Sequence, residues 1–399
     1  MTAAIVIVLA LLAGLLLPVA AQEGDPFALF DPAERSLILA HGPWPPETAP
    51  DPGNRVSGDP AAIALGARLF ADTGLSPDGS FSCATCHRPE SGLADGLAVG
   101  QGRVALDRNT PDLWDLRFQR WFGWDGASDS LWAASLRAMT SPREMAAAPQ
   151  TVRAALAGDP AVQVAFRDLF GSEPAALPAE DAMVLAAKAI AAYLETLVSP
   201  RTPFDRFRDA LAAGDRAAGR DYPAATRRGL KLFVGAGRCT LCHFGPTFSN
   251  GEFADIGIPF FLAGRAGGGK GAGPGVDRGR YGGIQALRRS PFSLAGRYND
   301  DPGRGNAWAT EGVSLEHRNF GEFKVPSLRG LSGTAPYMHN GSIPDLDGVV
   351  RHYSDLDPAR LHTDGEAILR PLALSPTEID DLTAFLRSLD PPGKGAGRD

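Results

Sequence analysis

Cysteine is scarce in this 399-residue chain: there are four, at positions 83, 86, 239 and 242. An excess of positive charge is also missing, with 39 lysines and arginines against 46 acidic residues and a net charge of −7. That balance argues against nucleic acid as a partner, because a phosphate backbone is met by a surplus of Lys and Arg. Long apolar runs are confined to Ala3–Ala21, so no other stretch is suited to cross a bilayer. No Lys or Arg precedes that run, but it closes on Pro18-Val19-Ala20-Ala21-Gln22, small residues that suit a signal-peptide cleavage point. Residues 1–21 are therefore expected to be a signal peptide, and a membrane is involved only if that segment stays uncleaved. The Gly-x-Gly patterns of Gly264–Gly283 follow no strand, which excludes a nucleotide loop and leaves a mobile glycine-rich one.

What the chain does have is a repeated motif. All four cysteines fall in Cys83-Ala84-Thr85-Cys86-His87 and Cys239-Thr240-Leu241-Cys242-His243. A redox pair, half a zinc site or two disulfides could use such cysteines. None of these explains a histidine directly after the second cysteine both times. Two thiols three positions apart reach the two vinyl groups of one porphyrin, and the next residue offers its imidazole to the iron. Two covalently bound c-type haems are the expected cofactors, with His87 and His243 as fifth ligands. Attachment through thioethers goes with export in bacteria and agrees with a periplasmic location.

The rest reads as scaffold. Hydrophobic content of 44% and charged content of 21% describe a soluble globular protein long enough for two or three cores. Glu23–Pro60, rich in proline and turn residues, is expected to be an extended arm. Gly66-Ala67-Arg68-Leu69-Phe70 precedes the first motif and Gly229-Leu230-Lys231-Leu232-Phe233 the second, an internal repeat. A turn with a glycine follows each, Leu93-Ala94-Asp95-Gly96 and Phe248-Ser249-Asn250-Gly251. Each half closes with a helix-periodic stripe, Met183, Ala187, Ile190, Leu194 and Leu197 in one, Ile379, Leu382, Phe385, Leu386 and Leu389 in the other. The fold expected is mainly α, two cytochrome c-like helical haem domains in tandem at 22–200 and 225–392, joined by a linker at 201–224.

The sixth position on each iron decides function: filled, it suits electron transfer; open, it binds peroxide. His41, His317, His339, His352, His362, the methionines beyond Met1 and the tyrosines are all candidates by residue type.

Five further stretches narrow the choice. Arg108-Asn109-Thr110-Pro111, Trp124-Asp125-Gly126, Pro142-Arg143-Glu144-Met145, Lys324-Val325-Pro326-Ser327-Leu328-Arg329 and Thr334-Ala335-Pro336-Tyr337-Met338-His339-Asn340-Gly341 resemble, in this order, the bacterial di-haem cytochrome c peroxidase and MauG superfamily. The resemblance covers nearly the whole mature chain. It implies a peroxide site at the N-terminal haem and an electron store or relay at the C-terminal one. It also implies that Glu144 is the distal acid–base carboxylate and Trp124 the tryptophan between the haems. Asn109, Thr334 and Pro336 match a calcium site between the domains, all of them oxygen donors.

The chain departs from the family's pattern in places. Members often carry a histidine in the loop after the first motif that caps the iron, and Gly92–Asn109 contains none. Ala134 and Ala138 stand where the family often has Gln and Pro, which implies a roomier, less polar pocket. Fourteen residues after the Pro-Tyr-x-His histidine, peroxidases place a methionine and the MauG branch a tyrosine; counting from His339 gives Tyr353. Tyr353 is the expected sixth ligand of the second haem, with His352 as the alternative. A helix from near Asp345 would carry Leu346, Val349, Val350 and Tyr353 on one face. The surface tryptophan of the MauG branch, two residues before the second motif, is Gly237 here.

The activity these features imply is hydrogen-peroxide-dependent oxidation of a small electron-donor protein, a cytochrome c or cupredoxin. MauG-like oxidation of a partner protein's side chains is one alternative, and a non-enzymatic di-haem electron carrier is another.

Overall fold

A computed structural model describes residues 24–259, 275–365 and 368–391. The expected signal peptide lies outside the described residues, as does most of the glycine-rich stretch. The chain is mainly helical, and among the described residues the only strands are Phe253–Ala254 and Phe323–Lys324, paired antiparallel. No helix among them is long and apolar enough to cross a membrane.

The internal repeat has a physical cause at two glycines. Helix Pro60–Ala71 crosses helix Ala179–Leu194 so closely that a Cβ on Gly66 would lie 2.0 Å from the Ala189 carbonyl oxygen. Helix Ala224–Val234 crosses helix Pro376–Arg387 the same way, and a Cβ on Gly229 would lie 1.9 Å from the Asp381 oxygen. Only glycine lets two backbones approach so far. The last of these helices starts with the anticipated capping box, Ser375 and Glu378 bonding each other's backbone amides, with Pro376 at its first position.

Each half has its own core. The first gathers Leu69, Trp132, Leu136, Phe166 and Ile190 from the helices on either side of the Gly66 crossing. The second is aromatic: Phe204, Phe233, Phe248 and Phe385 pack with ring centroids 4.8–6.2 Å apart. Such pairs add about 0.5–1.5 kcal/mol each beyond the area they bury.

Membership of these cores departs from sequence order. The expected extended arm contains a helix, Pro32–Ala40, because Asp31 and Glu34 form a capping box around Pro32. Phe27, Phe30 and Ile38 from this arm pack in the second core, not the first. The linker expected at 201–224 is structural as well: helix Pro203–Ala213 buries Phe204 and Phe207 there. Arg329, fully buried, ties these pieces together. Its guanidinium bonds both Asp205 carboxylate oxygens at 3.0 and 2.8 Å and lies 3.6 Å from the centre of the Trp44 ring. In return the second half lends a segment to the first: Leu294 and Ala307 join the first core, and Asp129 accepts from Leu294 N and Thr310 Oγ1. The end of the glycine-rich stretch is not loop, since Arg280 begins a helix that runs to Arg289.

Two hairpins meet between the halves. Phe122 bridges Ser128, and Tyr337 bridges Ile343, each around a left-handed second residue, Gly123 at φ 77° and Met338 at φ 73°. Each hairpin leads into a capped helix, Leu131–Thr140 after Ser130 and Leu346–Ser354 after Asp345. The contacts across the junction are reciprocal. Asn109 N donates to the His339 carbonyl at 2.7 Å, while Lys324 N donates to the Trp124 carbonyl at 2.9 Å.

Candidate functional site

The two cysteine motifs are built alike. Cys83–Cys86 is one helical turn and Cys239–Leu241 one 3-10 turn, and each histidine amide donates back to the first cysteine's carbonyl, at 3.0 Å for His87 and 2.8 Å for His243. The following turns orient the rings. His87 Nδ1 lies 2.9 Å from the Leu93 carbonyl oxygen and His243 Nδ1 2.8 Å from that of Phe248. Leu93 and Phe248 both take left-handed backbone, φ 64° and 54°, which turns their carbonyls inward. A carbonyl only accepts, so Nδ1 is the donor and Nε2 keeps its lone pair for a metal. Burial lowers the pKa of both imidazoles, His243 to about 4, so they stay neutral as ligation requires. No disulfide joins the four cysteines, and burial pushes the thiols of Cys83 and Cys239 up to about 12. A redox-active pair needs the opposite shift.

Both motifs open onto one internal cavity of about 880 Å³. Cys83, Cys86 and His87 line it on one side, and Cys239, Cys242 and His243 on the other. Apolar walls, two neutral imidazoles and adjacent thiols at each end are what covalently held haems require.

The side chains facing these histidines differ between the two ends. From helix Leu131–Thr140 the cavity receives Leu131, Ala134, Ser135 and Ala138; from helix Leu346–Ser354 it receives Leu346, Val349, Val350 and Tyr353. The anticipated face of the second helix is thus intact, and its cap is Asp345. Burial raises the Tyr353 phenol well above its ordinary pKa. His352, the alternative ligand, turns away, its Nε2 2.7 Å from the Ile256 carbonyl.

Glu144 lines the cavity just beyond the end of the first helix. Its segment is held by a tight turn, Glu144 N to Ser141 O at 3.0 Å, and by Arg103 N to Arg143 O at 2.8 Å. Burial raises the carboxyl's pKa, while Ser141, Arg137 and Arg143 pull it down. Trp124 also lines the cavity, and its indole N–H donates to the Asn109 carbonyl at 2.9 Å. Trp121 is a core aromatic with the Arg280 guanidinium 4.4 Å from its ring centre. Asn109, Thr334 and Pro336 all line the cavity, and the Asn109 amide donates to Leu97 O at 2.8 Å.

The remaining candidate ligands have contacts of their own, although His339, Met145 and Met338 also line the cavity. His41 has its ring nitrogens 2.7 Å from Leu37 O and 3.2 Å from the carbonyl of His243. His339 stacks on Phe323 with centroids 3.5 Å apart. Met139, Met145 and Met183 are core residues. His317 and His362 lie apart from the cavity, with Asp364 beside them.

Residue-by-residue reading missed two charged residues of the cavity wall. Asp112 and Lys324 both line the cavity; burial raises the carboxyl to about 7 and lowers the amine to about 8, each partly offset by the other's charge. Lys324 also donates to the Gln119 side-chain oxygen.

Known proteins resemble this chain over most of its length. Residues 60–212 match the di-haem cytochrome c peroxidase family, and residues 322–355 the RoxA-like, cytochrome c-like family. The methylamine utilization protein MauG of Methylorubrum extorquens is 36% identical over 347 residues, covering 86% of this chain and 82% of that protein. The cytochrome-c peroxidase IdrP1 of Denitromonas iodatirespirans is 32% identical over 358 residues, covering 87% and 85%. Among solved structures, the diheme peroxidase BthA from Burkholderia thailandensis superposes with a TM-score of 0.65 at 22% identity, covering 87% of this chain and 90% of that one, a likeness of fold.

Proposed function

This chain belongs to the di-haem cytochrome c peroxidase and MauG family, and from that premise we propose that it is a periplasmic, hydrogen-peroxide-dependent oxidoreductase. The peroxide is reduced at the site of Cys83, Cys86 and His87; electrons enter from a small donor protein, a cytochrome c or cupredoxin, through the site of Cys239, Cys242 and His243. The observation that carries the reading is the asymmetry of the cavity: small side chains and a carboxylate face one histidine, a tyrosine faces the other. The apolar segment at residues 3–21 and the two attachment motifs support export and covalent c-type linkage.

A haem held at each motif would supply an iron with the motif histidine as fifth ligand and a sixth position for peroxide or a protein ligand. The protein does the rest. Ala134 and Ala138 leave the first site open. Glu144 takes the proton from the peroxide oxygen that stays and returns it to the one that leaves, and its raised pKa suits both roles. Tyr353 would supply an oxygen ligand to the haem of the second site. Trp124, hydrogen-bonded to Asn109 between the two ends, carries electrons across. A calcium ion held by Asn109, Thr334 and Pro336 would stiffen the junction, its donors neutral oxygens.

Oxidation of a partner protein's side chain is the second reading, favoured by Tyr353 in place of methionine. Gly237 speaks against the hopping route of the MauG branch. A plain electron carrier fits less well, since both its sixth positions would be filled. An EPR spectrum of the ferric protein tests the proposal: one high-spin and one low-spin haem are expected, and two low-spin haems would refute it. Turnover with reduced cytochrome c or cupredoxin then separates the two enzymatic readings.

A further inference from the structure

We propose that the first haem site accepts organic hydroperoxides as well as hydrogen peroxide, because the helix face above it is cut back to small side chains at the positions that fill the second site. The inference rests on the peroxidatic reading of that site. The two faces correspond position by position. Each helix follows a hairpin of the same length, Phe122 to Ser128 and Tyr337 to Ile343. Each is capped by a side chain accepting from the third residue on, Ser130 from Ala133 N and Asp345 from Gly348 N. Each sends its first, fourth, fifth and eighth residues into the cavity.

Leucine begins both faces. After it, Val349, Val350 and Tyr353 at the second site become Ala134, Ser135 and Ala138 at the first. Ser135 adds little polarity, because its hydroxyl donates back to the Leu131 carbonyl at 2.9 Å. Leu116, Phe122 and Met145 add apolar wall for an alkyl group, beside the polar Arg137, Ser141, Arg143 and Glu144. Hydrogen peroxide is too small to need this room; an alkyl hydroperoxide would fill it. Discrimination in such pockets is steric, on the order of tenfold or more for one methylene.

The chemistry stays balanced. The O–O bond of ROOH breaks as Glu144 moves the hydroperoxide proton onto the alkoxy oxygen, which leaves as ROH. The oxygen left behind departs as water, using two electrons from the reduced donor protein and two protons from solvent. The sum is ROOH + 2 e⁻ + 2 H⁺ → ROH + H₂O.

The test restores the second site's valines in the holoprotein with A134V/S135V. Rapid mixing with hydrogen peroxide and with tert-butyl hydroperoxide, followed in the Soret band, gives a rate ratio for each protein. Wild type is expected to react with both, and the variant to raise the ratio in favour of hydrogen peroxide by about tenfold or more. A second readout needs no turnover: binding of tert-butyl isocyanide to the reduced protein should weaken relative to carbon monoxide by a similar factor. Wild type that reacts with hydrogen peroxide but not with tert-butyl hydroperoxide overturns the inference, as does an unmoved ratio in either measurement. Wild type inert to both oxidants removes the peroxidatic reading itself. Should the double variant fail to fold, A134V alone carries the same comparison.

Discussion

Replacing Glu144 by glutamine keeps the size of the side chain and its hydrogen bond with Ser141 but removes its ability to take and return a proton. General acid–base catalysis contributes ~10²–10⁴-fold, so the rate of reaction with peroxide should fall by that factor, about 3–5 kcal/mol of barrier. The environment also sets a pH signature. Burial raises the Glu144 carboxyl above its ordinary 4.5. Proton uptake needs the carboxylate, so the wild-type rate should fall as pH drops through a midpoint above 4.5, and this acid limb should vanish in the variant. Arg137 and Arg143 hold that pKa down, so Arg137→Ala should move the limb to higher pH. Stability runs the other way. A carboxyl with a raised folded pKa contributes no stability above its unfolded value and weighs against the fold as pH rises past it, so E144Q should melt no lower than wild type at neutral pH. Stopped-flow absorbance across pH, paired with thermal melting, checks all of this. A variant that reacts as fast as wild type, or keeps the acid limb, would refute the assignment.

Three further outcomes are expected. Tyr353→His should give the second haem two histidine ligands, seen as a new low-spin EPR signal and a higher reduction potential; an unchanged signal would move the ligand elsewhere. Trp124→Phe should leave both haems attached while slowing single-turnover electron exchange between them, since the indole and its bond to Asn109 are lost; equal rates would take Trp124 off the route. Gly229→Ala puts a methyl 1.9 Å from the Asp381 oxygen, so the two helices must separate. A loss of about 1–3 kcal/mol or more is expected in denaturant unfolding, and a loss below 0.5 kcal/mol would contradict the crossing.

Much of the site was legible because its chemistry is local. A Cys-x-x-Cys-His motif needs only five residues, and the face Leu346, Val349, Val350 and Tyr353 needs only one helix. The glycines of the repeat could be noticed as well, but their meaning, a backbone 2 Å from where a Cβ would stand, appears only with the partner helix in place. Assignment to a core was hidden for the same reason. Phe27, Phe30, Phe204 and Phe207 announce that they will be buried, not beside what. The hairpin correspondence escaped notice because Trp124 and His339 occupy matching places with unlike side chains, so the likeness lies in backbone bonds. The shifted pair Asp112 and Lys324 arises from desolvation inside a cavity that no linear reading contains.

The reciprocal bonds, Asn109 to His339 and Lys324 to Trp124, have the logic of an isologous dimer interface, in which each partner offers the other the same patch. Two separate copies of one half would be obliged to carry the same residue in both pockets: two tyrosines, and no place for peroxide, or two alanines, and no fixed sixth ligand. Joining the copies in a single polypeptide lifts that obligation while keeping the dimer's contact. Symmetry survives in the backbone bonds and is broken in the side chains, where Ala138 stands on one helix and Tyr353 at the matching place on the other. The exchanged segments, one half's arm in the other's core and a loop returned, make the union hard to undo.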